Sequence, residues 1–203
     1  CPAPVAVVAD LEVLCAAPPE LSAAGYADLL AKVPAGADWI LADELEIEPI
    51  DPTAWAMVQH PLREALADPA GVARGEVDAV AALTRGLMQG GFAMQHTRTS
   101  RPASGAEHQF SHLWDMQGHT HQGRAPAHGF KVGIATLAVT QLYEELLQFP
   151  MERLDPEARA AAWPAWPEVE RDLEARFPEP AIRQKALEET AAKHVDPGAL
   201  RDH

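Results

Sequence analysis

The sequence predicts a mainly α fold, and three observations predict it. Proline and capping residues recur where helices would start, apolar residues recur at helical spacing over long stretches such as 129–149, and only one segment, Val5–Asp10, carries the short β-branched run of a strand. The chain of 203 residues is long enough for one large domain with a sizeable core, and with 47% hydrophobic residues it is not a disordered sequence. Its formal net charge of −14 argues against nucleic acid and against anionic membrane surfaces, both of which reward clustered Lys and Arg. An anionic ligand would need a local basic pocket.

Taken in order, the elements read as follows. VAVVAD at 5–10 enters as a strand with no charged signal region before it. Cys1 so close to that strand leaves no room for a lipid tether, so the chain reads as truncated. Cys1 and Cys15 provide no disulfide framework, which suits a reducing cytoplasm. Pro18 and Pro19 open a helix through about Lys32, with Asp28 set among Ala23, Ala24, Ala27, Leu29, Leu30 and Ala31. Burying an unpaired acid costs several kcal/mol, so Asp28 needs a partner, and Lys32 one turn on is one candidate. A helix from about Ala37 turns Trp39 inward, and Pro52 begins another carrying Trp55 and Met57. A long apolar pattern from Gly71 to His96 meets Gly90 and Gly91, where a kink or a close helix contact is expected. Arg98 and Arg101 follow as candidate anion contacts, although a solvated loop accounts for them equally well.

Residues 104–128, SGAEHQFSHLWDMQGHTHQGRAPAH, hold five of the nine histidines. Ser104 and Glu107 have the spacing of a capping box, so a helix is expected to begin at Gly105 and to end at Gly118. On it His108 and His112, four apart, stack on one face. Pro126 opens the next helix and places His128 in its first turn, where the positive end of the dipole favours the neutral imidazole that binds metal. Such a pair is also compatible with ordinary core or surface histidines. From Gly129 to Phe149 the apolar pattern predicts the central core helix, ended by Pro150. Amphipathic helices then follow in WPAWPEVERDLEARF and PAIRQKALEETAAKHV, with Trp163 and Trp166 as hydrophobic staples. His119, His121, His194 and His203 read as exposed. There is no transmembrane run, internal repeat, Walker sequence or G-x-G-x-x-G.

The segments VVADLEVLCAAPPELSAAGYADLLAK, SRPASGAEHQFSHLWDM and HGFKVGIATL, and more weakly WPAWPEVE and IRQKALEE, carry a resemblance. The chain resembles the C-terminal part of sn-glycerol-1-phosphate dehydrogenases, within the superfamily of iron-containing alcohol dehydrogenases, glycerol dehydrogenases and dehydroquinate synthases. The resemblance implies a dehydroquinate synthase-like helical domain over 17–203, with 1–16 a strand and linker remnant of an α/β nucleotide-binding domain absent from these residues. It implies one divalent metal held by Asp28, His108 and His128, with zinc, nickel and ferrous iron all suited to that set. It also implies that Asp28 and His112 face the substrate, His112 as the catalytic acid–base group, and Arg101 is the candidate for its anionic end. Three protein ligands leave a fourth position for a substrate oxygen. NAD or NADP would bind through the missing domain, so its contact residues are unknown.

This sequence departs from the family at Ala27, usually glycine, and at Phe130, usually small or polar. The implied function is a cytoplasmic metal-dependent oxidoreductase acting on a small phosphorylated ketone or polyol, inactive as an isolated chain, with homo-oligomerisation left open. Two alternatives stand beside it. One is a non-catalytic metal-binding module; the other is a dehydroquinate synthase-type lyase, whose GHTxGH pattern is not the SGAEHxxSH present here.

Overall fold

A computed structural model describes residues 4–202; Cys1 and His203 lie outside the described residues. Those residues are mainly helical, and they cluster into two compact units, Cys1–Glu145 and Leu146–His203, which are taken separately below. Among the described residues no helix is long and apolar enough to cross a membrane.

The expected N-terminal strand does not form. Residues 5–10 are extended or bent without a ladder, and Val5, Val7 and Val8 are exposed. A β-branched run encodes a preference for extended backbone, but a strand exists only where a neighbouring edge takes up its N–H and C=O groups. No such edge is present among the described residues. Asp10 instead caps α1 (Leu11–Cys15), accepting from the amides of Glu12 and Val13 at 3.0 and 3.3 Å.

Pro19 stands at the first position of α2 (Pro19–Leu30), where its missing N–H costs nothing. The chain bends at Ala31 into α3 (Lys32–Glu44), five residues earlier than the sequence suggests. Asp51 caps α4 (Pro52–Ala65) through Ala54 N–H at 2.8 Å, and Asp68 caps α5 (Pro69–Arg74) through Gly71 N–H at 2.7 Å. The apolar pattern read from Gly71 to His96, with its interruption expected at Gly90 and Gly91, is divided instead at Gly75, whose φ of +71° ends α5 before α6 (Val77–Thr97) begins.

Gly90 and Gly91 remain inside α6, which packs along α4. Close helix contact is instead clearest at Gly86, where an added Cβ would lie 2.9 Å from Leu29 and 3.1 Å from Ala65. The core sits in two clusters here. One gathers Leu29, Leu62, Val72 and Leu83 with Tyr26 at its edge; the other gathers Trp39, Ala54, Val58 and Ala93. Each such large side chain contributes roughly 1.5–3 kcal/mol when fully buried.

The core therefore does not centre on α8 (His128–Gln148), which the sequence nominated. One face of α8 is buried through Gly129, Val132, Ala135 and Val139, while Ile134, Leu137 and Leu142 are exposed. A helix that is apolar all round need not be surrounded, and its small residues decide which side packs. Between α6 and α8 lies α7 (Ala106–Met116), which Gly118 leaves in the left-handed conformation at φ +63°.

In the second unit a 3-10 turn at Met151–Arg153 leads to α9 (Pro156–Ala161), α10 (Trp166–Arg176), α11 (Pro180–Ala191) and α12 (Pro197–Asp202). Its buried residues include Ala160 and Phe177. Trp163 donates from Nε1 to the Val195 carbonyl at 3.0 Å, and the Trp166 ring lies 5.6 Å from that of His194. His194 is consequently half-buried, not exposed as the sequence suggested; His119 and His121 are exposed as expected.

Candidate metal centre

Three helices of the first unit converge on one point. Asp28 near the end of α2, His108 in the first turn of α7 and His128 at the start of α8 each offer a ligand atom, and these atoms lie within 4.8 Å of one another. His108 is buried, Asp28 is half-buried and His128 is exposed, so the group opens to solvent on the His128 side. His108 Nε2 stands 3.8 Å from Asp28 Oδ1, and the His108 and His128 ring centres are 5.2 Å apart.

The approach of α8 to α2 is what brings His128 to Asp28. A Cβ on Gly129 would lie 2.6 Å from the Ala24 carbonyl carbon, and one on Gly133 would lie 2.8 Å from the Ala27 Cβ. Glycines four apart thus let the α8 backbone rest on α2. The departure at Ala27 is accommodated because Gly133, opposite it, has no side chain.

The start of α7 is secured differently from the expected capping box. Ser104 does not cap it; Asp38 of α3 does, accepting Ala106 N–H at 2.5 Å, and the helix begins at Ala106 with Gly105 as its cap residue. Glu107 Oε1 accepts Gly105 N–H at 2.9 Å, one residue beyond the Ser104 amide that the expected box would have it bind. The same Oε1 receives His108 Nδ1 at 2.7 Å. Tyr143 donates to the other oxygen of Asp38 at 2.5 Å, and burial followed by that carboxylate raises the Tyr143 hydroxyl well above the ordinary phenol range.

Other polar groups surround the three. Lys32, itself buried, donates to Asp28 Oδ1 at 2.6 Å, so the ion pair foreseen for Asp28 forms within the same candidate ligand group. Ser111 is buried with Oγ 3.4 Å from His128 Nδ1. Partial desolvation by its neighbours, ahead of the opposing Asp28 charge, lowers the His128 pKa, the direction that favours the neutral imidazole. His112 is exposed, with its ring 6.3 Å from that of His108 and outside the group of three. Arg101 is engaged by Glu48, Nε to Oε2 at 2.6 Å. Beside the start of α8 is a cavity of about 500 Å³ lined by Trp114, His119, His121, Phe130 and Lys131, so the unusual Phe130 faces open space; Lys131 is buried and ion-paired to Asp115.

A carboxylate and two imidazoles suit a first-row divalent ion. Ligands of such an ion at about 2.0–2.2 Å stand up to roughly 4 Å apart, so the observed spacing needs only small side-chain adjustment. Sequence reasoning passed over Glu107 as more than a cap, and it passed over Asp38, Ser111 and Lys131. An acid in the apolar run AGADWIL was the available signal for Asp38.

What this defines first is a helical protein with a candidate Asp-His-His metal centre. No family model matches the chain. Among curated proteins it is 37% identical to the glycerol-1-phosphate dehydrogenase (NAD(P)+) of Bacillus licheniformis over 145 residues, 71% of this chain and 36% of that protein. It is 34% identical to the Bacillus subtilis enzyme of the same name over 170 residues, 83% and 43% respectively. The Pyrococcus horikoshii enzyme is 33% identical over 69% of this chain and 39% of its own length. The chain is homologous to glycerol-1-phosphate dehydrogenases, and it spans about two fifths of the length of these relatives.

Proposed function

We propose that this chain supplies the metal-binding and substrate-holding part of a glycerol-1-phosphate dehydrogenase-like oxidoreductase. In this reading 17–203 is a dehydroquinate synthase-like helical domain, and 1–16 leads from a nucleotide-binding domain that carries NAD or NADP. The reaction interconverts dihydroxyacetone phosphate and sn-glycerol 1-phosphate. The observation that carries the reading is the convergence of Asp28, His108 and His128 from three separate helices, on a chain homologous to enzymes of that name.

When bound, a divalent ion would supply Lewis acidity at the substrate oxygen, and a nicotinamide would supply or take up the hydride. Asp28 and His108 hold the buried side of the centre, and His128 closes it from the solvent side. His112 stands one turn beyond His108 on the same helix, clear of the ligand group, where it can bond a substrate hydroxyl and move its proton. Arg101 reaches the anionic end of the substrate by exchanging Glu48 for it.

Elemental analysis and metal titration of the purified chain test the centre. One divalent ion per chain is expected, lost in Asp28→Ala and in His128→Ala. Unchanged stoichiometry in both variants would overturn the assignment and turn attention to His119 and His121.

A further inference from the structure

Among the described residues Glu107 is the most deeply buried charged side chain, with no solvent exposure. Its two oxygens are treated very unequally. Oε1 accepts both Gly105 N–H and His108 Nδ1, whereas Oε2 is buried with no hydrogen-bond partner at all. A buried carboxylate with one bare oxygen is costly unless its one engaged oxygen does something the fold or the site requires. A helix start does not require it, because Asp38 already caps α7 through Ala106 N–H.

The geometry around it explains its retention. An added Cβ on Gly105 would lie 2.9 Å from Oε2, so the glycine in SGAEH leaves the room in which this carboxylate turns back over the helix start. Turned back, it meets the imidazole of the very next residue. An ionised carboxylate can only accept, so against Glu107 the His108 nitrogen facing it stands as the donor, with the ring proton on Nδ1. The lone pair is then on Nε2, the atom 3.8 Å from Asp28 Oδ1.

We propose that Glu107 is a positioning residue for His108, holding its imidazole in the Nδ1–H form and in the ring orientation that presents Nε2 to Asp28. This rests on the reading of His108 as a metal ligand. A carboxylate accepting from the far nitrogen of a ligating histidine fixes the tautomer and raises the donor strength of the nearer one. Asp38 acts upstream of it, tying α3 to the first residue of α7 and so fixing the turn from which Glu107 folds back.

The test combines two readouts on the whole chain. Side-chain ¹⁵N NMR at pH 8, with metal removed by chelator, reads the His108 tautomer directly, and competitive titration with zinc reads affinity. Wild-type His108 is expected as the Nδ1–H tautomer. Glu107→Gln keeps the size and one acceptor oxygen but loses the charge, so zinc affinity should fall about 10-fold; Glu107→Ala loses both and should fall toward 100-fold with a mixed tautomer. A purely structural role would lower thermal stability while leaving tautomer and affinity as they were. Nε2–H in wild-type His108 overturns the proposal, and so does zinc affinity in Glu107→Gln within twofold of wild type. Should Glu107→Ala fail to fold, those two observations still decide it. Should the wild type bind no zinc, the ligand reading falls, and the tautomer alone judges whether Glu107 governs the ring.

Discussion

Gly129→Ala tests the packing that assembles the centre. The added methyl would overlap the Ala24 carbonyl oxygen and stand 2.6 Å from its carbon and 3.0 Å from its Cα. Carbon atoms pack at about 3.5–4.0 Å, so the start of α8 must withdraw from α2 by at least roughly 1 Å. The obstacle is helix backbone and cannot rotate aside. Overpacking of this kind costs about 1–3 kcal/mol, read as a lower urea midpoint with an unchanged slope. The larger effect falls on the site, since His128 is the residue before Gly129 and metal–ligand distances tolerate only about 0.2 Å. Zinc affinity should drop by at least 10-fold.

Gly91→Ala is the control. It lies within α6 with nothing within 4 Å of the new methyl, so it should stabilise by about 1 kcal/mol through helix propensity and leave zinc affinity unchanged. A Gly129→Ala protein with wild-type stability and wild-type affinity would refute the argument that glycine sets the α2–α8 approach.

Three further outcomes are expected. Lys32→Met removes the partner of Asp28 and should destabilise the chelator-treated protein by about 2 kcal/mol, below the cost for a fully buried pair because Asp28 is 27% exposed. Its zinc affinity should rise, since a neighbouring cation is gone; a fall would show that Lys32 orients Asp28. The Tyr143 and Tyr26 hydroxyls are both raised above the usual phenol value, Tyr26 by burial. The folded state therefore holds their protons after the unfolded chain begins to release them, and stability should decline with pH above about 10. Tyr143→Phe should flatten that decline in urea unfolding run at pH 9–11. In a protein joined to its nucleotide-binding domain, His112→Ala should keep its metal while kcat/KM falls roughly 100-fold or more. Metal loss matching His108→Ala would make it a ligand.

The residues that converge were singled out by local signals and by motif. His108 stood out through its four-residue spacing with His112, which the fold leaves outside the group, His128 through a helix start, and Asp28 through its conflict with an apolar surrounding. The helices were legible for the same reason, through prolines at first positions and apolar periodicity. What failed depends on partners distant in sequence. Val5–Asp10 has the composition of a strand, but composition does not supply a neighbouring edge. The α8 pattern records apolarity on all sides and not which side is covered; that follows from Gly129 and Gly133 meeting Ala24 and Ala27. Asp38 displaces Ser104 as the cap of α7 across 68 residues, beyond the reach of any capping motif.

The three converging side chains also have an order in time. Asp28 lies 80 residues before His108 (108 − 28) and 100 before His128 (128 − 28), and α4, α5 and α6 all come between the first and the second. Contacts this distant along the chain form late, after loop closure has been opposed by entropy at every intermediate helix. During synthesis Asp28 emerges well before the other two, which are only 20 residues apart (128 − 108), and α2 can be covered by α8 only once Gly129 has left the ribosome. On the proposed reading of these three as ligands, loading with an ion requires α8 to have joined α2, and a ribosome halted anywhere upstream of His128 releases a chain that cannot be loaded through this set.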